Sequence, residues 1–310
     1  MPPITCCVAL YCGCKAGRAK PPLVLQNRLS STFHHVTRKP VGLKDCLRAH
    51  LKLSRIDAEK LIRLGSVYWE NERLVEDTPL PERAHLRVYK NPQRYPVHGI
   101  RWIDRVVHQA DSFVVIDKPH GVPTHATVDN VAENVLAEMR SLLKVPLYVT
   151  HRLDTGVGGL LLFAKTQSFQ RIFNQALQQG GVSKTYLALT EVAPKHGVHV
   201  HYMDPSQQKR RLVQAEAKAG FDRCELEVIR SHKIETHGVE CFEVEVKLLT
   251  GRTHQIRAQL AALGAPIIGD KLYGSRKHLE ANSRAIQLYC SELKFADHLY
   301  KRCPSWQQSS

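Results

Sequence analysis

Cys241-Phe242-Glu243-Val244-Glu245-Val246-Lys247-Leu248 places Phe242, Val244, Val246 and Leu248 against Glu243, Glu245 and Lys247. Successive side chains on a strand point to opposite faces, so this period of two reads as a half-buried strand. One wet face is the habit of antiparallel sheets, because parallel sheets are covered by helices on both sides. Working outward, apolar runs at Val114–Ile116, Leu147–Thr150, Gly159–Lys165, Thr185–Leu189 and Cys224–Ile229 read as further strands. Helical stripes run through Val131, Val135, Leu136, Met139, Leu142 and Leu143, and through Phe169, Ile172, Phe173, Ala176 and Leu177 behind Ser168 as cap. A last helix carries Ile256, Leu260 and Leu263, capped by Thr253 and ended by Gly264. Strands outnumber helices, which predicts an α+β fold with a largely antiparallel, mixed sheet.

Upstream, Leu43, Leu47 and Leu51 lie on one face of a short helix, and Ser54 with Asp57 forms a capping-box pattern for a second. Ala58, Leu61 and Ile62 give that helix its apolar stripe, and Gly65 suits its end. Strands follow at Ser66–Trp69 and Leu86–Tyr89. Residues 41–95 therefore read as a small α/β module, with Pro92, Pro96 and Gly99 as a linker to a large domain at 100–310. Arg55, Lys60 and Arg63 fall on one arc of the second helix, a face suited either to phosphates or merely to solvent.

Lys and Arg number 44 against 29 Asp and Glu, a net charge of +15 that favours an anionic partner. No run approaches the ~20 apolar residues of a membrane-spanning helix, so nucleic acid ranks before membrane. Residues 1–40 contain no acid but hold Lys15, Arg18, Lys20, Arg28, Arg38 and Lys39. That composition is that of a transit peptide for a plastid or mitochondrion, or else of a disordered leader. The nine cysteines are odd in number; the first four cluster and the later ones are scattered, with no recurring C-x-x-C pair, which predicts reduced thiols and no metal. His199 and His201 share a strand face, but no carboxylate or cysteine follows at helpful spacing, so they read as solvent-facing.

Two polar clusters sit at element edges: His151, Arg152 and Asp154 before glycines, and Arg252, Thr253, His254 and Arg257 at a strand-to-helix junction. A carboxylate beside an arginine stays ionised, as a nucleophile or base requires. A structural ion pair explains the same spacing equally well.

His151-Arg152-Leu153-Asp154 followed by Gly159–Lys165 resembles the central motif of RluA-type pseudouridine synthases. Lys184-Thr185-Tyr186-Leu187 is similar to their second motif, and Gly251-Arg252-Thr253-His254-Gln255-Ile256-Arg257 to their third, continued by Pro266, Gly269-Asp270 and Tyr273-Gly274. Val115-Ile116-Asp117-Lys118-Pro119 with Gly121 resembles their first strand and turn. The similarity spans roughly residues 105 to 296, and four co-linear motifs are far more specific than one. Ser54-Arg55 and Leu61-Ile62-Arg63-Leu64-Gly65-Ser66-Val67 resemble the RNA-binding domain of ribosomal small-subunit protein four.

The resemblance implies the pseudouridine synthase fold and isomerisation of specific uridines in rRNA or tRNA. It makes Asp154 the catalytic aspartate, Tyr186 the residue against the target base, Arg257 the partner of Asp154, and Arg152 a support for the flipped-out nucleotide. The small module, through Arg55, Lys60 and Arg63, would bind structured RNA. No cofactor and no metal are implied, and the expected state is a monomer off the membrane. Val157-Gly158 stands where the family usually has Thr-Ser, and this feature alone favours the rival reading, a non-catalytic RNA-binding or RNA-folding protein on the same fold.

Overall fold

The computed structural model describes residues 32–207, 209–279 and 284–307. The N-terminal part comprises β1 (Thr32–Val36), β2 (Val41–Gly42), α1 (Leu43–Leu51), α2 (Arg55–Arg63), β3 (Val67–Trp69), β4 (Glu72–Leu74), β5 (Pro79–Leu80) and β6 (His85–Tyr89). Its four-stranded sheet has the order β1-β6-β3-β4 and is antiparallel, while β2 and β5 pair separately. Leu43 and Leu47 of α1 and Ala58, Leu61 and Ile62 of α2 bury against Val67, Leu86 and Val88 of the sheet. The expected cap is present: Ser54 Oγ accepts the Asp57 amide at 3.1 Å. Gly65 turns the chain at φ +64°, where a Cβ would lie 2.8 Å from both Arg73 Cδ and Val131 Cγ1.

Of the expected leader, residues 1–31 lie outside the described residues. Thr32–Val36 depart from the expectation. They form edge strand β1, in register with β6 from Thr32↔Tyr89 to Val36↔His85, and Phe33 packs on the module's core. The small sheet therefore starts at Thr32, before the expected boundary at residue 41. Composition hides this strand because it is short, acid-free and carries two histidines.

The larger sheet has eleven strands: β7 (Val106–Gln109), β8 (Phe113–Lys118), β9 (Tyr148–Val149), β10 (Gly158–Ala164), β11 (Val182–Thr190), β12 (Gly197–Met203), β13 (Val213–Gln214), β14 (Asp222–Thr236), β15 (Val239–Leu248), β16 (Leu288–Phe295) and β17 (His298–Lys301). The order is β13-β12-β14-β15-β11-β16-β10-β8-β7, with β9 on β10 and β17 on β16. Among the described strand pairs only β10–β16 is parallel. Helices α3 (Val135–Leu143), α4 (Gln167–Gln178) and α5 (Gln255–Ala262) complete the α+β architecture.

Strand β15 alternates as expected, but its second face is not simply wet. Glu243 is 4% exposed. It accepts 2.8 Å hydrogen bonds from Trp306 Nε1 and Gln307 Nε2, which cover this end of the sheet. A buried carboxylate without such donors would be costly. Helix details also differ. Val131 lies outside α3, and Leu142 is exposed. Thr166 rather than Ser168 caps α4, accepting the Phe169 amide at 3.2 Å. Ile172 is 57% exposed rather than part of the core. Helix α5 starts from His254, in the left-handed region at φ +60°, rather than from a Thr253 cap.

Several hydrogen bonds fasten the small module to the large part. Ser66 Oγ donates to Asp129 O at 2.8 Å, Tyr68 Oη to Val128 O at 2.7 Å and Arg73 Nη2 to Thr127 O at 2.7 Å. The Val131 amide donates to Leu64 O at 2.8 Å. Among the described residues no helix is long and apolar enough to cross a membrane.

Candidate active site

The loop from Thr150 to Val157 enters β10, and its backbone is fixed from several sides. Thr124 Oγ1 donates to Leu153 O at 2.8 Å and accepts the Leu153 amide at 3.2 Å. His151 is buried, stacks on Phe173 and accepts the Leu162 amide at Nε2. Burial pushes the His151 pKa well below its ordinary value, so the ring is neutral. Lys118, at the end of β8, is fully buried beneath the loop. Its Nζ donates to Val157 O at 2.6 Å, Pro119 O at 3.0 Å and Thr155 O at 3.3 Å. Burial pulls its pKa down to about 7, against the attraction of Asp154 and Asp117. Such a pinned backbone leaves the Asp154 side chain little freedom. That side chain is 29% exposed.

Arg257 reaches Asp154 from α5. Its Nη1 donates to Asp154 Oδ2 at 2.8 Å, while Nε and Nη2 donate to Asp270 Oδ2 and Oδ1 at 2.6 and 2.9 Å. Asp270 is 1% exposed. The planar guanidinium thus grips the buried carboxylate with two donors and offers a third to the accessible one. Burial works against its charge, but Asp270 and Asp154 hold its pKa above the ordinary arginine value. His254 places Nε2 3.6 Å from Asp154 Oδ2, and its Nδ1 meets Tyr273 Oη at 3.1 Å. Burial lowers the His254 pKa despite the attraction of Asp154.

Asp154 opens into a cavity of about 780 Å³ that is also lined by Arg152, Lys184, Tyr186, Arg252, His254 and Arg257. That volume lies within the range of small-ligand sites. Tyr186 on β11 is 5% exposed. Burial and the neighbouring Cys290 raise its pKa well above normal, so the phenol keeps its proton. Arg152 is exposed at the rim, with Nη1 3.5 Å from His125 Nε2. A cavity of about 510 Å³ near His120, Arg284 and Trp306 has no carboxylate among the described residues that line it.

The structure therefore brings Asp154, Tyr186, Arg257 and Arg152 to one cavity. Arg55, Lys60 and Arg63 lie elsewhere, exposed on α2. Arg55 is partly neutralised, with Nε 3.0 Å from Glu59 Oε1. The basic loop at Arg210-Arg211 reaches the site: Arg210 Cζ lies 5.8 Å from the Tyr273 ring centre, and the Arg211 amide donates to Tyr273 Oη at 2.8 Å. His201 is not solvent-facing as expected. It is 9% exposed, with Nδ1 3.0 Å from Gln259 Nε2. Sequence reasoning assigned no role to Asp270, Lys118 or His254. Asp270 had a signal, an acid thirteen residues beyond the arginine within the same run of motifs.

A family model for RNA pseudouridylate synthase matches residues 112–262. An uncharacterised RNA pseudouridine synthase of Haemophilus influenzae is 30% identical over 199 residues, covering 61% of this chain and 81% of that protein. The chain belongs to the RNA pseudouridine synthase family. Another member, RNA pseudouridine synthase 6, chloroplastic, of Oryza sativa subsp. japonica, is 34% identical over 262 residues. That match covers 78% of this chain and 52% of the rice protein, so the chain spans about half the length of this curated relative. The solved structure of human RNA pseudouridylate synthase domain containing 1 shares the fold, with a TM-score of 0.53 at 21% identity. It covers 64% of this chain and 82% of the human one.

Within this pseudouridine synthase family member, the Gly158 half of the departure at Val157-Gly158 fits its surroundings sterically. A Cβ at Gly158 would lie 2.6 Å from His120 Nε2. The imidazole occupies the space of the missing side chain, and its Nδ1 meets Gly156 O at 2.8 Å. Gly159 is equally constrained, at φ +107° with Cys290 O 2.4 Å from where a Cβ would sit.

Proposed function

We propose that this chain isomerises uridines in structured rRNA or tRNA to pseudouridine, with Asp154 as the catalytic residue. The observation that carries this reading is the Asp154 carboxylate at a cavity wall, held by Arg257, which Asp270 in turn clamps. The reaction breaks the C1′–N1 bond and joins C1′ to C5. Reactant and product have the same atoms, so no redox partner or group carrier is consumed. Asp154 supplies its oxygen to the sugar carbon or to a proton, and either role needs a carboxylate. Arg257 aims that carboxylate. Tyr186 presents a flat ring and a protonated hydroxyl to the extruded base. Arg152 at the rim holds the displaced nucleotide.

The small N-terminal sheet with α1 and α2 serves as an RNA-binding module, with Lys60 and Arg63 meeting phosphates and Arg55 contributing less because Glu59 engages it. A monomer presents all of these groups. The compartment is a plastid. The chloroplastic name of the rice relative and the acid-free basic composition of residues 1–40 both support that reading. The rival, non-catalytic reading rests on Val157-Gly158, where His120 fills the space beside Gly158; the persistence of Asp154, Tyr186 and Arg257 at one cavity supports the enzyme instead.

The test is pseudouridine mapping. Plastid rRNA and tRNA from plants with and without the protein are compared by mass spectrometry, and unmodified transcripts are then treated with the purified chain. Specific pseudouridines should vanish without the protein and return in vitro. An unchanged map, together with inert purified protein on those RNAs, would overturn the proposal.

A further inference from the structure

We infer that the N-terminal module is a zinc site, with His35, Cys46 and His50 as its protein ligands. Cys46 and His50 stand four residues apart on α1, so their side chains share one face of that helix. His35 comes from β1, where alternation puts it on the same side as Phe33, and Phe33 packs on the helix-facing core. The two imidazoles lie together, with ring centres 3.8 Å apart. Cys46 Sγ and one nitrogen of each histidine all fall within 4.8 Å of one another.

A tetrahedral zinc, with Zn–S near 2.3 Å and Zn–N near 2.0–2.1 Å, needs ligand atoms about 3.3–3.6 Å apart. A contraction of roughly 1 Å, within reach of a rotation of the exposed His50, closes the set. Two imidazoles and a thiol, with no carboxylate, are a donor set for zinc and not for magnesium or calcium. Three protein ligands leave a fourth position, and the exposure of His50 opens it to water. The spacing H-x₁₀-C-x₃-H has no C-x-x-C signature, and its first ligand falls in the strand that composition hid.

The site has a structural consequence. Strand β1 is an edge, held to the sheet through its ladder with β6. A metal bridging His35 to Cys46 and His50 ties that edge to α1 and turns binding energy into folding energy of the module. None of the three residues lines the Asp154 cavity, so the ion's part is to hold the module together rather than to act on RNA.

The test uses the full reduced chain, stripped of metal and titrated with Co²⁺ as a spectroscopic substitute for Zn²⁺. Cys6, Cys7, Cys12 and Cys14 are also present, so the readout is the difference between wild type and variants. Wild type should show tetrahedral d–d bands with a thiolate-to-cobalt band, and Zn²⁺ should displace the cobalt and raise the melting temperature. Cys46→Ser should lose one equivalent and its share of the thiolate band. His50→Ala alters an exposed side chain, so it keeps the test valid if Cys46→Ser fails to fold; it should lose the same equivalent. Equal stoichiometry and spectra in wild type and His50→Ala, or no cobalt binding by wild type, would overturn the proposal.

Discussion

Arg257 Nη1 lies 2.8 Å from Asp154 Oδ2, across 103 residues of chain. The same guanidinium turns its other two nitrogens to the buried Asp270. One arginine therefore serves an accessible carboxylate and an inaccessible one, and the inaccessible one fixes its direction.

Asp270→Asn should therefore damage the site without touching the cavity wall. Removing the charge of Asp270 leaves the buried Arg257 with Asp154 as its remaining ionic partner, at a cost of about 3 kcal/mol. Denaturant unfolding should show that loss, and turnover of the remaining folded protein should fall as Arg257 loses its aim. Unchanged stability would mean that the guanidinium is held by something else.

The salt dependence of RNA binding should report Lys60 and Arg63. Each phosphate contact removed reduces the slope of log affinity against log salt by just under one unit. Lys60→Gln with Arg63→Gln should flatten the slope, whereas Arg55→Gln, whose charge Glu59 already engages, should change it less. Equal slopes in all variants would make this helix face a solvated one. Point changes suit the test better than deletion, because Ser66, Tyr68 and Arg73 fasten the module to the large part.

Tyr186→Phe should keep RNA affinity and lose turnover. The ring that stacks is retained. The hydroxyl, kept protonated by burial, is lost together with its hydrogen bonding at the base. Wild-type turnover in this variant would leave Tyr186 a stacking role alone.

Acidification should destabilise the fold before its carboxylates titrate. Burial lowers the folded-state pKa of His151, His120, His254 and His201 below the ordinary value of 6.5. Just below pH 6.5 the unfolded chain takes up protons that the folded chain refuses. Stability therefore falls as pH drops through that window and recovers as pH rises. Urea midpoints between pH 8 and pH 5 should decline, and His151→Gln, which retains an acceptor for the Leu162 amide, should make the decline shallower. A flat profile would contradict the buried neutral histidines.

Some of this was legible in the sequence and some was not, for identifiable reasons. The alternation at 241–248 announces its strand because local side-chain direction and burial agree there. Glu243 looks solvent-facing because the groups that bury it, Trp306 and Gln307, come from more than sixty residues away. The left-handed start of α5 at His254 is invisible to a capping rule that looks for a hydroxyl, since the residue's side chain turns instead to Asp154 and Tyr273. That Asp154, Tyr186 and Arg257 share one cavity was legible through motif resemblance. Lys118 lies within a motif, but its place beneath the Asp154 loop is set by the fold and not by local sequence.

Asp154→Asn tests the central claim most directly. The amide keeps size and shape but removes both the charge and the nucleophilic oxygen. Unfolding, RNA binding and pseudouridine yield should be measured on the same preparation, because Arg257 also loses an ionic partner. The expected result is a folded protein that binds RNA and forms no pseudouridine. Pseudouridine formed by the folded variant at a tenth of the wild-type rate, a barrier change of only about 1.4 kcal/mol, would contradict the assignment of Asp154 as the catalytic residue.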